Sequence, residues 1–288
     1  MKVPCILCFL ILLSLVACNE KKSEVDSDLL LALAALQPPP DRAENYDRDV
    51  QIITHTPYIQ TSGGASVVCD LDYSDRDLNY MVEKLKAEIA RYPRGYWIKA
   101  GVEKVVLCSK ITLNGGFVGG FSDVDRIVYL VSSGIADRGD SMIVCGGIPN
   151  FTYFECYTGG GINHELTHSV DRKMLGLYFF DPDWEKLNDP GFRYGDTPQS
   201  TGWHPTPGFV LSYGMTNPIE DRATFGGVIM GGRSIYNLLV QFCQTDPIVA
   251  AKTRKIIDRW KQFWPFPGAE NTEWKIRMTQ VEQDCRLR

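Results

Sequence analysis

His164-Glu165-Leu166-Thr167-His168 sets two imidazoles and a carboxylate at a spacing that can do metal chemistry. On a helix, residues i and i+4 share a face, so His164 and His168 can meet one ion. Glu165 follows the first of them and can reach a water on that ion as a general base. The chain has only 4 His in 288 residues, so two of them in this register, inside an apolar helical pattern, would be a rare coincidence. The bland alternative is a helix with two unrelated histidines.

A zinc ion bound for catalysis needs a third protein ligand and an open position. The metzincin continuation is absent, since it needs Gly where Asp171 stands and His where Met174 stands. His55 and His204 are candidates without a telling context. Glu220 has one: Asn217 can cap a helix and Pro218 fits its first position, which puts Glu220 in the first turn. Ala223 and Thr224 then share its face, and small residues there would let this helix come close to the histidine helix. A first-turn carboxylate also satisfies the helix dipole without any metal. Spacing alone leaves both readings open.

The elements that must position these groups can be read from periodicity. The histidine helix is expected from Gly161 to about Leu175, entered through Gly159-Gly160-Gly161 and stopped near Gly176. Upstream, Ser74–Asp77 starts a helix whose apolar stripe is Leu78, Met81, Val82, Leu85 and Ile89, ended by Pro93. Strand patterns follow at 102–107, 111–113, 117–121 and 126–131, with a turn at Asn114-Gly115-Gly116. Residues 180–207 are rich in Pro, Gly, Asp and aromatics and read as a long ordered loop or lid. Two amphipathic helices are expected at 234–242 and 247–264, with Trp260, Phe263, Trp264 and Phe266 in the core. The fold class is α+β: a small twisted sheet, the metal helix, and a mostly helical C-terminal part.

Taken together, His164-Glu165-x-x-His168, Tyr213 and Glu220-Asp221-x-Ala223 resemble the glutamate-ligand zincins. The match is particularly similar to the bacterial lipoprotein family of putative zinc metallopeptidases, and more remotely to the anthrax lethal factor catalytic domain. In those proteins a tyrosine stands seven positions before the ligand glutamate, as Tyr213 does here (220 − 213 = 7). Asp183-Trp184-Glu185-Lys186-Leu187-Asn188 also resembles the loop after the metal helix in that family. The resemblance covers about Tyr92 to Phe225. It implies a zincin-like fold, with Zn2+ held by His164, His168 and Glu220, and an edge strand from residues 117–131 that pairs with an extended substrate backbone. It departs at Tyr213-Gly214, where relatives have Tyr-Ala, and at Arg222 and Thr224, where they have Phe and Glu.

The N-terminus reads as an export signal rather than as fold. Lys2 precedes an apolar run, Ile6–Val16, that is too short to span a membrane as a stable helix. Leu15-Val16-Ala17-Cys18 resembles the lipobox of bacterial lipoproteins. It implies cleavage after residue 17 and a membrane partner through lipid on Cys18, with a plain secretory peptide as the alternative. Asn19 rather than aspartate favours the outer membrane if the cell is Gram-negative. Residues 18–50, with Pro38-Pro39-Pro40, read as a tether in which Leu29–Leu36 could form a short helix, and 51–288 as the metallopeptidase domain. Six cysteines remain in the domain, an even number that suits disulfides in an oxidising compartment. Local pairing is expected for Cys145 with Cys156 and for Cys243 with Cys285. A net charge of −5 argues against a nucleic-acid partner.

The expected activity is zinc-dependent hydrolysis of a peptide or protein substrate, with Glu165 as general base and Tyr213 donating to the developing oxyanion. A core role is the alternative for Tyr213. Asp171 and Asp221 are read first as helix-surface acids and second as groups that orient the ligands. Three other functions compete: a surface binding lipoprotein with a structural metal, a toxin-like protease, and a hydrolase of non-peptide amides.

Overall fold

A computed structural model describes residues 41–286, apart from 56–57, 63–64, 124–125, 146, 157–159 and 196–201. The expected signal segment, Cys18, residues 29–36 and Gly159 lie outside the described residues. One compact unit runs Arg42–Arg288. A 3-10 turn at Ala43–Tyr46 belongs to it, with Tyr46 packed on Trp264 and Phe266.

The protein is mixed α+β with eight α-helices among the described residues. In place of one small sheet there are two of four strands and a hairpin. The first sheet has the order β1 (Gln51–Ile53), β4 (Lys104–Cys108), β8 (Ile127–Val131), β7 (Gly120–Ser122). β1, β4 and β8 are parallel, and β7 runs antiparallel at the edge. The second sheet is antiparallel: β2 (Tyr58–Ser62), β3 (Ala65–Asp70), β5 (Lys110–Leu113), β6 (Gly116–Val118). β9 (Met142–Cys145) and β10 (Ile148–Thr152) form the hairpin.

The near-continuous apolar runs of β4 and β8 follow from burial on both faces. Val105, Leu107, Val128 and Leu130 enter the main core, against the helices. Val106, Cys108, Ile127 and Tyr129 point the other way, into a second core shared with Val67, Cys69 and Ile111 of the antiparallel sheet. A Cys69–Cys108 disulfide joins the two sheets through that core. The expected pairs Cys145–Cys156 and Cys243–Cys285 are both present.

The helices are α1 (Asp75–Ala90), α2 (Tyr96–Lys99), α3 (Gly160–Leu175), α4 (Pro182–Glu185), α5 (Pro218–Ile229), α6 (Arg233–Thr245), α7 (Pro247–Phe263) and α8 (Glu273–Asp284). Ser74 caps α1 by accepting from the Asp77 amide, as its sequence position suggests. The 117–121 pattern is divided: β6 and β7 belong to different sheets, with Gly119 at the changeover. α8 was not expected from the sequence. Trp260, Phe263 and Trp264 are buried in the main core, and Phe266 is packed against it.

α3 and α5, which carry the candidate ligands, lie against one another over their length. Ala223 and Thr224 are buried there, but the closest approach comes one turn later, at Gly226 and Gly227. A Cβ on Gly226 would run into Thr167 Oγ1, and one on Gly227 would stand 2.8 Å from the Gly160 carbonyl oxygen. Only glycine lets the helices sit this close. Gly226→Ala is therefore expected to cost about 3 kcal/mol or more, at the upper end for overpacking. Urea unfolding measures it, and adding Thr167→Ala, which removes Oγ1, should recover part of the loss.

Candidate metal centre

α3 presents His164 and His168 one turn apart on the face toward α5. Its start is anchored by Asn163, which accepts from the Tyr92 hydroxyl at 2.7 Å and donates to Glu88 at 3.1 Å. α5 begins as its sequence dictates: Asn217 Oδ1 accepts from the amides of Ile219 and Glu220, both at 2.9 Å, with Pro218 in the first turn. That cap aims Glu220 across to α3.

The three side chains converge. His164 Nε2 lies 2.9 Å from Glu220 Oε2, and His168 Nε2 lies 3.3 Å from the same oxygen. The two Nε2 atoms are 3.1 Å apart, and the rings are perpendicular. Ligand atoms about 2.0–2.2 Å from a tetrahedral ion stand roughly 3.3–3.6 Å from each other. The trio therefore needs only a slight spreading to take zinc, and its donors, two imidazoles and one carboxylate, suit that ion. Among the described residues these are the three that form a candidate metal cluster. Burial opposes ionisation of Glu220, but hydrogen bonding to both histidines outweighs it and holds the carboxyl well below the usual range.

Glu165 is 8% exposed and turns from the ligand face toward β7. A Cβ on Gly120 would lie 2.9 Å from its Oε1, so a glycine on the edge strand makes room for this carboxylate. Burial pushes its pKa up to about 7, against the pull of His164 and the Ser122 amide, with Glu220 adding to the rise. A carboxylate poised there can both take and return a proton near neutral pH. Tyr213, in a 3-10 turn at Ser212–Met215, is 45% exposed and its ring lies 5.8 Å from that of His164. Burial, and then the charges of Glu220 and Glu165, hold its hydroxyl protonated well above the ordinary range. It stands at the mouth of the site and is not a core tyrosine.

The other two histidines are elsewhere. His204 Nε2 is 3.0 Å from Asp246 Oδ2 and its ring stacks on Phe242. The His55 backbone amide donates to the Tyr73 hydroxyl, and its ring is edge-on to that tyrosine.

The surface reading of Asp171 and Asp221 is overturned: each is 1% exposed. Asp171 takes Arg222 Nε at 2.5 Å and Arg259 Nη1 at 2.7 Å, which links α3, α5 and α7. Asp221 accepts from Lys252 Nζ at 2.7 Å, Trp184 Nε1 at 2.8 Å and the Tyr194 hydroxyl at 2.7 Å. Asp221 thereby pins the segment after α3 onto α5. The described part of 180–207, expected as loop throughout, holds a short helix, α4, in which Trp184 is fully buried.

Sequence reasoning missed what joins α3 to the sheet edge. Ser122 Oγ and Ser169 Oγ are 2.8 Å apart, and Arg172 Nη2 donates to the Ser122 carbonyl at 2.9 Å. In the β7–β8 ladder, Asp123 donates to Ile127 and Val131 to Gly119. The alternation of an antiparallel pair then turns the backbone groups of Gly120 and Ser122 toward the open edge. At Ser122 that edge is occupied by Glu165 and Arg172. Gly120 itself stands against Glu165, the residue next to His164.

No family model matches the chain, and no curated protein matches it. Among solved structures it is similar to a putative zinc-binding metallo-peptidase from Bacteroides caccae, at 14% identity and a TM-score of 0.46, with 84% of this chain and 87% of that chain covered.

Proposed function

We propose that the protein is a zinc metallopeptidase of the glutamate-ligand zincin type. One observation carries this reading: His164, His168 and Glu220 converge on one point beside a buried carboxylate and an open sheet edge. A structural zinc site would be closed by a fourth side chain and would have no use for Glu165.

His164, His168 and Glu220 would hold the ion, which when bound supplies Lewis acidity toward a water and a carbonyl oxygen. Glu165 takes the proton of the attacking water and returns it to the leaving amine. Its burial between α3 and Gly120 keeps bulk water from competing for that proton. Tyr213 donates to the carbonyl oxygen as charge builds there. The Gly120 backbone pairs with an extended substrate, which sets the scissile bond across the trio.

The same proposal includes export and lipid attachment at Cys18. Three disulfides support an oxidising compartment. No described helix is long and apolar enough to cross a membrane; the attachment proposed is the lipid. Elemental analysis of the purified full chain tests the metal site. One zinc per chain, removed by a chelator and restored by added zinc, is expected; a chain that takes up no zinc contradicts it.

A further inference from the structure

The turn that leaves the C-terminal end of α3 displays apolar side chains to solvent. Leu177 is 59% exposed, Tyr178 87% and Phe180 73%, with Met174 37% exposed on the last turn of the helix. Neighbouring large apolar groups in the open usually mark a surface that something covers.

This turn is fixed at both ends. Gly176 (φ 83°) and Phe179 (φ 50°) are left-handed, a conformation that a non-glycine residue such as Phe179 adopts only when it is held there. The Phe179 carbonyl accepts from Arg222 Nη2 at 3.0 Å, so the buried Asp171–Arg222 pair holds that conformation. Asp181, the next residue but one, is paired with Arg259 and with Lys255. An apolar surface held rigid in advance loses little freedom on binding, and aromatic side chains are favoured anchors at recognition surfaces.

The turn is also continuous with the metal site. The Phe179 ring stands edge-on to His168, with centroids 6.3 Å apart. Arg172 lies over Phe179, 5.4 Å from the ring centroid, and also donates to the Ser122 carbonyl at the end of β7. A chain that passes His168 therefore meets Phe179, whose neighbours Leu177, Tyr178 and Phe180 are exposed. A bilayer is the poorer occupant: the chain carries a net charge of −5, which is unfavourable at an anionic lipid surface.

We propose that the Leu177–Phe180 turn is a recognition surface for a bulky aliphatic or aromatic side chain of the polypeptide bound at the metal centre. The substrate class is then extended segments with an apolar residue on the side of the scissile bond that lies toward the end of α3. This rests on the peptidase reading, but its test uses binding rather than turnover.

The zinc-loaded full chain carrying Glu165→Gln is titrated with two fluorescein-labelled peptides that differ only in a Phe-Leu or a Ser-Ser pair. The titration is repeated after adding Leu177→Ser, Tyr178→Ser and Phe180→Ser together. The apolar peptide should bind roughly 10- to 100-fold more weakly to the triple variant, with the Ser-Ser peptide unaffected. Zinc content and Tm should stay unchanged, since all three side chains are exposed. Equal binding of the apolar peptide to both proteins overturns the proposal. So does a triple variant whose only defect is lost sedimentation with phosphatidylcholine vesicles, which would assign the turn to a bilayer. A protein with Glu165 intact that binds the apolar peptide without cutting it contradicts the peptidase reading and leaves this assignment standing.

Discussion

Glu165→Gln should retain one zinc per chain and lose at least ~10³-fold in kcat/KM on a cleaved peptide, within the range for removing a general base. The size follows from the geometry. Glu165 is the carboxylate adjacent to the trio and outside it, buried against Gly120. Glutamine keeps the shape and can still accept from the Ser122 amide, but it cannot take a proton. The loss should therefore fall on kcat, with KM little changed. Elemental analysis and steady-state kinetics on one preparation measure both quantities. An active, zinc-loaded variant would remove Glu165 from the mechanism.

Glu220→Ala should weaken zinc binding by more than ~100-fold, beyond the usual effect of losing an outer partner of a ligand. His204→Ala should leave zinc binding unchanged. The contrast comes from position. Glu220 Oε2 lies 2.9 and 3.3 Å from the two imidazole nitrogens, whereas His204 is engaged with Asp246 on the loop that leads into α7. Competition with a chromophoric chelator reads both affinities. Equal zinc affinity in the two variants would reject Glu220 as the third ligand.

The candidate site was legible where short-range spacing decides the geometry. His164 and His168 are one helical turn apart, and Asn217-Pro218 fixes the start of α5, so Glu220 could be placed in its first turn from the chain alone. The disulfides Cys145–Cys156 and Cys243–Cys285 were expected from the chain, which leaves Cys69 and Cys108 as the remaining two; what the Cys69–Cys108 bond joins was not legible. It joins two sheets, and the sequence does not reveal that the strands split between them. Asp171 and Asp221 were misread because their partners come from distant segments: Arg222 on α5, and Arg259 and Lys252 on α7. A signal for the latter existed. Val249, Lys252, Ile256 and Trp260 follow one helical stripe, and a lysine on an apolar stripe must find a buried acid or give up its charge.

The tight contact of α3 with α5 was foreseen at the wrong place. Ala223 and Thr224 share the Glu220 face, but the helices come closest at Gly226 and Gly227, one turn on. Gly227 is at i+7 from Glu220, still on the same face, and two adjacent glycines in a helix interior are costly unless something needs their missing side chains. Gly120 was legible as part of a Gly-Gly pair but not as the space for Glu165, because that contact joins a strand edge to a helix.

Peptide-library cleavage by the purified full chain, with new termini read by mass spectrometry, tests the central claim most directly. The account predicts new termini that disappear with a chelator, return with added zinc, and are absent from the Glu165→Gln protein. A zinc-loaded chain that cuts nothing in the library, or cleavage that persists in the Glu165→Gln protein, would contradict it.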